Sequence, residues 1–240
     1  MADVKALMQE KIKVLDEASK AYYARGEEIM SNFEYDKIYD ELVELEKQSG
    51  IILAGSPTQK VGYEILSELP KEVHPSRMLS LDKTKSREEL KDWLGDHQGI
   101  LSWKLDGLTI VLTYEDGKLL KAVTRGNGDV GEVITANAKT FVNLPHQIAY
   151  KGALVLRGEA VISYADFEKI NSEIEDGAGK YKNPRNLCAG SVRQLNSEIT
   201  ASRRVRFFAF TLVSASDMSF KTRSEQMIWL AKQGFDTVKE

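Results

Sequence analysis

The stretch Ser102-Trp103-Lys104-Leu105-Asp106-Gly107 stands between two apolar runs, residues 99–103 and 108–114. Both runs are rich in residues that favour β-structure, so the sequence predicts a strand on each side of the motif. Lysine is poor strand material, and a lysine at such a junction indicates chemistry: the amine of Lys104 can act as a nucleophile. Because Lys-x-Asp-Gly alone is a weak signal, the rest of the chain has to support this interpretation.

An Asp-Gly pair follows the second run. Asp116-Gly117 is typical of a two-residue hairpin turn, and residues 118–124 return to a β-forming composition, which predicts an antiparallel pair. Further strands are predicted at residues 78–81, 153–162 and 205–213. Helices are predicted at residues 86–93, 131–140, 163–174 and 222–233, with a loop and a helix within residues 182–195.

The first fifty residues predict two amphipathic helices. Apolar residues recur at helical spacing over residues 4–22 and 35–45, and Ser31 or Asn32 can cap the second helix. The segment Ser56-Pro57-Thr58-Gln59 then reads as a connector. We therefore predict an α+β protein with two domains, a helical hairpin at residues 1–62 and a domain of strands and helices at residues 63–240.

Composition describes an ordinary globular protein. Of the 240 residues, 42% are hydrophobic and 29% charged, and no apolar run approaches the ~20 residues that span a bilayer. The single cysteine, Cys188, excludes an intrachain disulfide and a cysteine-rich zinc site. We expect a cytoplasmic protein without membrane contacts, because the N-terminus also lacks the apolar core of a signal peptide.

Charge is unevenly distributed behind the net value of −3. Residues 1–66 contain 8 basic and 13 acidic residues, whereas residues 180–206 contain 7 basic and 1 acidic residue. Two further motifs are polar. The run Arg125-Gly126-Asn127-Gly128 can expose backbone N–H groups to a phosphate but also suits any tight turn. The run Arg157-Gly158-Glu159 places two charges inside a strand, which indicates either an internal salt bridge or a ligand site.

Taken together, these motifs resemble the NAD-dependent bacterial DNA ligases. The order and approximate spacing match for the lysine motif, for Arg125-Gly126-Asn127-Gly128, for Arg157-Gly158-Glu159, for Asn183-Pro184-Arg185-Asn186 and for Phe207-Phe208-Ala209-Phe210. The resemblance covers nearly the whole chain. It implies an N-terminal helical domain that recognises NAD, followed by a nucleotidyltransferase core of mainly antiparallel sheets flanked by helices, ATP-grasp-like in architecture.

The resemblance implies a chemistry for the lysine. In such a ligase the amine of Lys104 attacks the α-phosphate of NAD and expels nicotinamide mononucleotide (NMN), which leaves lysyl-AMP. The AMP then passes to the 5′-phosphate of a DNA nick. Asp106, Arg125 and Glu159 are the implied catalytic partners, with Mg²⁺ and NAD as cofactors, and buried neighbours are expected to desolvate the amine. No residue is assigned as a permanent metal ligand.

The same resemblance assigns the nucleotide-binding positions. Those implied for NAD are Tyr22, Tyr35 and Asp36 on the NMN side, and Ser80, Leu81, Ser102, Lys104, Leu105, Arg125, Glu159 and Phe210 on the AMP side. Four positions depart from the family pattern: Tyr23 replaces a histidine, Asn32 and Asn127 replace aspartates, and Ser102 stands where an acidic residue is common. We expect NAD use to be weakened by these changes.

The basic stretch is the implied DNA surface. Lys180, Lys182, Arg185, Arg193, Arg203 and Arg204 can meet the phosphates of nicked double-stranded DNA, although a solvated face is the ordinary explanation for such a charge run. The family has later motifs and domains that this sequence lacks, so we expect at most slow self-adenylation and no nick sealing. No obligate protein partner is implied.

Two alternatives stay open. One is an ATP- or GTP-using relative, a polynucleotide ligase or a capping-type nucleotidyltransferase, which shares the lysine motif. The other is a non-catalytic nucleic-acid-binding remnant.

Overall fold

The computed structural model describes residues 2–21, 29–51, 53, 56–59, 69–78, 81–174 and 180–239. The predicted boundary between residues 62 and 63 lies outside this part of the chain. The described residues form an N-terminal helical hairpin and a body of strands and helices, so the predicted α+β class is confirmed. No helix in the described ranges combines the length and apolar character that crossing a bilayer requires.

The hairpin consists of α1 (Ala2–Lys20) and α2 (Asn32–Ser49). Ser31 caps α2 through a capping box, in which its hydroxyl accepts from the backbone N–H of Glu34 and the Glu34 carboxylate accepts from the backbone N–H of Ser31. Gly50 ends the helix with a φ of 64°. The two helices bury a small core of Met8, Leu15 and Leu42 between them. The helical hairpin predicted from the spacing of apolar residues is therefore confirmed.

The connector after the hairpin is fastened back to α2. A short 3-10 turn, Pro57–Gln59, follows Ser56, whose hydroxyl donates to a carboxylate oxygen of Glu46 at 2.6 Å. The hydroxyl of Thr58 donates to the other oxygen of Glu46, also at 2.6 Å. Because Glu46 is 8% exposed, these bonds satisfy a carboxylate that would otherwise be buried at considerable cost.

The main sheet has four antiparallel strands, which are β2 (Leu108–Glu115), β3 (Lys118–Thr124), β5 (Leu154–Val161) and β6 (Arg206–Ala215). Across the sheet they lie in the order β3-β2-β5-β6. Asp116 and Gly117 both have positive φ, 48° and 73°, as expected for the predicted hairpin turn. Alternate residues such as Ile110, Leu112 and Tyr114 are fully buried, so one face of the sheet carries the core.

Helices cover that face. They include α6 (Pro184–Val192) and α8 (Arg223–Lys232), which contribute Leu187, Cys188, Val192, Met227 and Leu230 to the core. The remaining helices are α3 (Arg87–Leu94), α4 (Thr135–Ala138), α5 (Tyr164–Glu173) and α7 (Ser197–Ser202), the last of which was not predicted. The opposite face of the sheet is only partly covered, and alternate residues of β5 there are half-buried.

The helix predicted at residues 131–140 is largely wrong. Its first part is β4 (Val130–Glu132), which pairs with β1 (Lys71–Val73), and only α4 is helical. A side chain at Gly131 would place its Cβ 1.9 Å from the carbonyl oxygen of Thr124. Glycine at this position therefore allows β4 to approach the end of β3 closely, which a larger residue would prevent.

The strand predicted at residues 99–103 is also wrong. Residues 98–106 have no regular secondary structure, and Leu101 and Trp103 are 91% and 72% exposed. β-forming residues become a strand only when a partner strand pairs with them. The backbone N–H of Trp103 instead donates to the carbonyl oxygen of Lys239 at 3.1 Å. Of the strand predicted at residues 78–81, only the two ends are described, and neither lies in a strand.

Candidate active site

The lysine motif is anchored at its glycine. A Cβ at Gly107 would lie 1.9 Å from the carbonyl oxygen of Ala160 and 2.8 Å from a methyl carbon of Val161, so no larger residue fits without displacing β5. The backbone N–H of Gly107 also donates to Glu159 at 3.1 Å. The motif is therefore packed against β5, while Lys104 three residues earlier is exposed. The predicted desolvation of Lys104 by buried strand neighbours is wrong, because the preceding residues are exposed as well.

Glu159 is a half-buried acid beside the lysine motif. Its second carboxylate oxygen accepts from the hydroxyl of Thr109 at 2.8 Å. Burial raises the pKa of Glu159, while the hydrogen bond from Thr109 and the positive charge of Lys104 act in the opposite direction. Gly107 and Thr109 thus donate to both carboxylate oxygens of Glu159. Lys104 lies close enough to Glu159 for their charges to interact.

Asp106 is paired with Arg185. The guanidinium donates to the carboxylate across 2.8 Å, and the Asp106 side chain remains 60% exposed. Arg185 lies in the first turn of α6, which Asn183 caps by accepting from the backbone N–H of Asn186. Arg185 was predicted to contact DNA, and the structure places it beside the lysine motif.

Helix α6 is tied to β5 at the same point. The thiol of Cys188 donates to the carbonyl oxygen of Ala160 at 3.2 Å, the oxygen against which Gly107 packs. Burial raises the pKa of the Cys188 thiol, so this side chain remains protonated and is a packing group rather than a nucleophile. Three elements that carry candidate site residues therefore meet around Ala160.

The run Arg125-Gly126-Asn127-Gly128, which we call the glycine loop, begins at the end of β3. The backbone N–H of Arg125 donates to the carbonyl oxygen of Thr109 at 3.0 Å. Arg125 therefore lies next to the start of β2, and Thr109 is only two residues beyond Gly107 of the lysine motif. Gly126 and Gly128 have φ values of 56° and 95°, a region that favours glycine. The side-chain oxygen of Asn127 accepts from the N–H groups of Asp129 and Val130. An aspartate would accept the same bonds, so Asn127 preserves the loop geometry.

Two phenylalanines of β6 lie near the half-covered face. Phe208 pairs directly with Glu159 in the strand register and is half-buried. Phe210, the predicted adenine-stacking residue, falls between the pairs Gly158↔Ala209 and Arg157↔Thr211, where the register shifts. Phe210 is therefore the unpaired residue of a bulge, and it is half-buried. Sequence reasoning did not select Phe208, whose only signal was its neighbour Phe210.

The predicted NMN-side residues are partly described. The hydroxyls of Tyr35 and Ser19 lie 3.0 Å apart and connect the two helices of the hairpin. The carboxylate of Asp36 lies 3.3 Å from the amine of Lys83. That amine is also 3.3 Å from Asp40 and 5.2 Å from the centroid of the Tyr39 ring. Sequence reasoning missed Lys83, which no motif contains.

Other predicted positions are less informative. Tyr22, Tyr23 and Ser80 lie outside the described residues, and Asn32 begins α2. Leu81 is 83% exposed and Ser102 is exposed, whereas Leu105 is half-buried. The structure therefore does not bring Leu81 or Ser102 into a closed adenine pocket.

Several of the predicted DNA-contacting residues have partners within the chain. Arg204 pairs with Asp166 at 3.1 Å, and the guanidinium of Arg203 lies 5.7 Å from the centre of the Tyr181 ring. Lys180 and Lys182 are exposed. The DNA contacts of these residues stay predictions.

Arg193 faces a buried carboxylate. Its Nε atom is 4.0 Å from Glu132, whose side chain is 3% exposed. Within the described part of the chain, the other oxygen of Glu132 has no hydrogen-bond partner. Glu132 was not selected from the sequence, where a glutamate beside a glycine carries no signal of its own.

The described residues contain no cluster of three or more histidine, cysteine, aspartate or glutamate side chains with the geometry of a metal site. A magnesium ion usually needs only one or two protein carboxylates, since substrate phosphates and water complete its coordination. The exposed carboxylate of Asp106 fits that donor set.

Comparison with known families gives two matches that together cover most of the chain. The family model of the NAD-dependent DNA ligase adenylation domain matches residues 66–240, and that of the DNA ligase-like, N-terminal NAD⁺-binding domain matches residues 1–62.

Curated proteins similar in sequence to this chain are DNA ligases, in agreement with the family models. A DNA ligase of Lachnoclostridium phytofermentans is 66% identical over 229 residues, which are 95% of this chain and 35% of the relative. A DNA ligase of Ruminiclostridium cellulolyticum is 64% identical over 239 residues, 99% of this chain and 36% of the relative. A DNA ligase of Helicobacter pylori strain P12 is 40% identical over 239 residues, 96% of this chain and 36% of the relative. The chain spans about a third of the length of these relatives.

Proposed function

Because the chain belongs to the family of NAD-dependent DNA ligase adenylation domains, we propose that Lys104 is the residue that takes the AMP group from NAD. The lysine nitrogen attacks the α-phosphorus, a P–N bond forms, and the P–O bond to the NMN phosphate breaks. NMN departs with the electron pair of that bond, and the proton lost by the amine goes to solvent. The observation that supports this assignment best is the exposed Lys104 side chain on a motif whose Asp106 and Gly107 are both held in place.

Three further residues have separate roles in the proposed reaction, namely Asp106, Glu159 and Arg125. Glu159, with its oxygens occupied by Gly107 and Thr109, provides a fixed negative charge near the attacking amine. Asp106, oriented by Arg185, provides an exposed carboxylate two residues from Lys104. Arg125, on the loop held against β2, provides positive charge for the phosphates of NAD.

We propose that Mg²⁺ would enter with NAD and be held by the exposed carboxylate of Asp106 together with the substrate phosphates. When bound, it neutralises phosphate charge. In the same scheme the helical hairpin, residues 1–62, holds the NMN half through Tyr35 and Asp36, and residues 63–240 hold the AMP half.

The activity of a whole ligase goes beyond what this chain spans. We propose that lysyl-AMP formation here is the first step of sealing nicked DNA in the cytoplasm, with the basic residues of 180–206 contacting DNA phosphates. The relatives bear the name DNA ligase, and this chain covers about a third of each, so we expect self-adenylation but no sealing from these 240 residues.

Intact mass after incubation with Mg²⁺ and NAD, ATP or GTP tests the proposal. We expect an AMP adduct from NAD alone, lost in Lys104→Ala and retained in Lys169→Ala, which removes an exposed lysine from α5. An adduct from ATP or GTP alone would instead support the nucleoside-triphosphate-using alternative. Failure to form any adduct would favour the non-catalytic alternative.

A further inference from the structure

We propose that His74 is a positioning residue that fixes the direction in which the side chain of Arg125 projects from the glycine loop. The proposal rests on the function assigned to Arg125 above. His74 directly follows β1, far from the lysine motif in sequence, and it is half-buried. Its Nε2 atom lies 3.1 Å from the carbonyl oxygen of Thr124 and 3.2 Å from that of Arg125.

The two carbonyl groups belong to the two peptide planes that flank Arg125. Because both oxygens are acceptors, Nε2 must carry a proton and donate to both. The first plane is held on its other side as well, since the N–H of Arg125 donates to Thr109. Fixing both planes fixes the Cα–Cβ direction of Arg125, because that direction follows from the backbone dihedrals between them.

The backbone around His74 reinforces this contact. The N–H of His74 donates to the carbonyl oxygen of Asp129 at 2.8 Å, and the N–H of Met78 donates to that of Gly128 at 2.9 Å. Arg77 pairs with Asp129 at 3.3 Å. Residues 74–78 therefore run along the outside of the glycine loop and hold it against the sheet.

The neighbouring glycine leaves room for the imidazole. A Cβ at Gly131 would lie 2.9 Å from Nε2 of His74, in addition to its overlap with Thr124. The loop itself contains Gly126 and Gly128, which restrict backbone conformation less than other residues do. An external side chain that holds the loop is therefore expected to influence where Arg125 points.

A pair of isosteric substitutions separates this role from simple packing. In His74→Gln the amide nitrogen falls where Nε2 was and can still donate, whereas in His74→Asn it falls where Nδ1 was and cannot reach the carbonyls. His146→Asn is the matched control, since Nε2 of His146 contacts the carbonyl oxygen of Lys139 at 2.6 Å, outside the glycine loop.

The primary measurement is the affinity for AMP by titration calorimetry, which requires no reaction at Lys104. We expect His74→Asn to weaken AMP binding by about tenfold, the effect of one lost hydrogen bond to a positioned group, with His74→Gln within about threefold of the unchanged chain. The same ranking is expected for the NAD concentration that gives half-maximal lysyl-AMP.

Equal AMP affinity in His74→Asn and the unchanged chain would overturn the proposal. It would also be overturned if both substitutions weakened AMP binding equally while lowering the unfolding midpoint, because His74 would then only stabilise the fold. If the unchanged chain binds AMP but forms no adduct with NAD, the function proposed for Lys104 fails, and the calorimetric ranking still decides the role of His74. Binding of neither nucleotide by the unchanged chain would contradict both.

Discussion

The guanidinium of Arg185 and the carboxylate of Asp106 are joined by a 2.8 Å hydrogen bond, which connects the first turn of α6 to the lysine motif. Charge-assisted bonds of this kind hold geometry better than neutral ones. Arg185, which the sequence predicted to contact DNA, is therefore positioned to orient the carboxylate of Asp106 in the proposed nucleotide site without any DNA bound.

Removing that guanidinium should slow adenylation in the absence of DNA. We expect Arg185→Met to reduce the rate of lysyl-AMP formation by about tenfold, because Asp106 loses the partner that orients it. The rate is measured by intact mass over time at saturating NAD. Arg204→Met is the control, since its partner Asp166 lies on α5. An unchanged rate in Arg185→Met would leave this arginine with a role toward DNA only.

A methyl group at residue 107 should destabilise the fold. Gly107→Ala places Cβ in the position 1.9 Å from the carbonyl oxygen of Ala160, so β5 must shift, at a cost of about 1–3 kcal/mol or more. Urea unfolding followed by circular dichroism measures the loss. In Gly99→Ala the added carbon meets only the flexible end of Leu94, and we expect a much smaller change. Equal losses of stability in the two variants would mean that β5 can shift away from residue 107 at little cost in free energy.

The half-buried carboxyl of Glu159 should make stability depend on pH. Because burial raises the pKa of Glu159 in the folded state, the folded chain holds this proton more tightly than the unfolded chain does. The contribution of Glu159 to stability therefore decreases as the pH rises from the ordinary value of 4.5 through the raised pKa, and is constant above it.

Glu159→Gln removes this dependence. We expect the difference in unfolding free energy between the unchanged chain and the variant to decrease over that interval, as followed by urea unfolding between about pH 4 and pH 7. Thr109→Val serves as a companion, since loss of its hydroxyl removes an effect that lowers the pKa of Glu159 and should extend the interval upward. A difference that grows with pH would show that the acid is stabilised in its charged form.

Lys83 should oppose NAD binding at the helical hairpin. Its amine lies against the carboxylates of Asp36 and Asp40, and the nicotinamide ring of NAD carries a positive charge. We expect Lys83→Met to lower the NAD concentration for half-maximal adenylation by a factor of about three, because the carboxylates are no longer neutralised. Affinity for AMP should be unchanged. Lys85→Met, two residues away, is the control, and a weaker response to NAD in Lys83→Met would assign Lys83 to the binding of substrate instead.

What could be predicted from the sequence was determined by local signals. The turn at Asp116-Gly117 and the cap of α2, for which Ser31 or Asn32 was predicted and Ser31 is found, each depend on residues within a few positions. Residues 99–103 had the composition of a strand, but whether a strand forms depends on a neighbour that composition does not reveal.

The functional contacts that could not be predicted join distant residues without a motif. His74 meets Thr124 across 50 positions, and Lys83 meets Asp36 across 47 positions. Each is a single side chain of a common type, and only the folded arrangement brings it to its partner. Arg185 is a different case. Both Arg185 and Asp106 were selected from their motifs, but the sequence did not predict that the two side chains pair with each other.

The lysine motif is held at two points, at Trp103 through the carbonyl of Lys239 and at Gly107 through β5. Four peptide units join these points, a chain no longer than about 14 Å when fully extended. Such a short bridge cannot carry Lys104 toward successive reactants. The long side chain of Lys104 therefore supplies the reach, and the backbone beneath it stays in place while the amine moves.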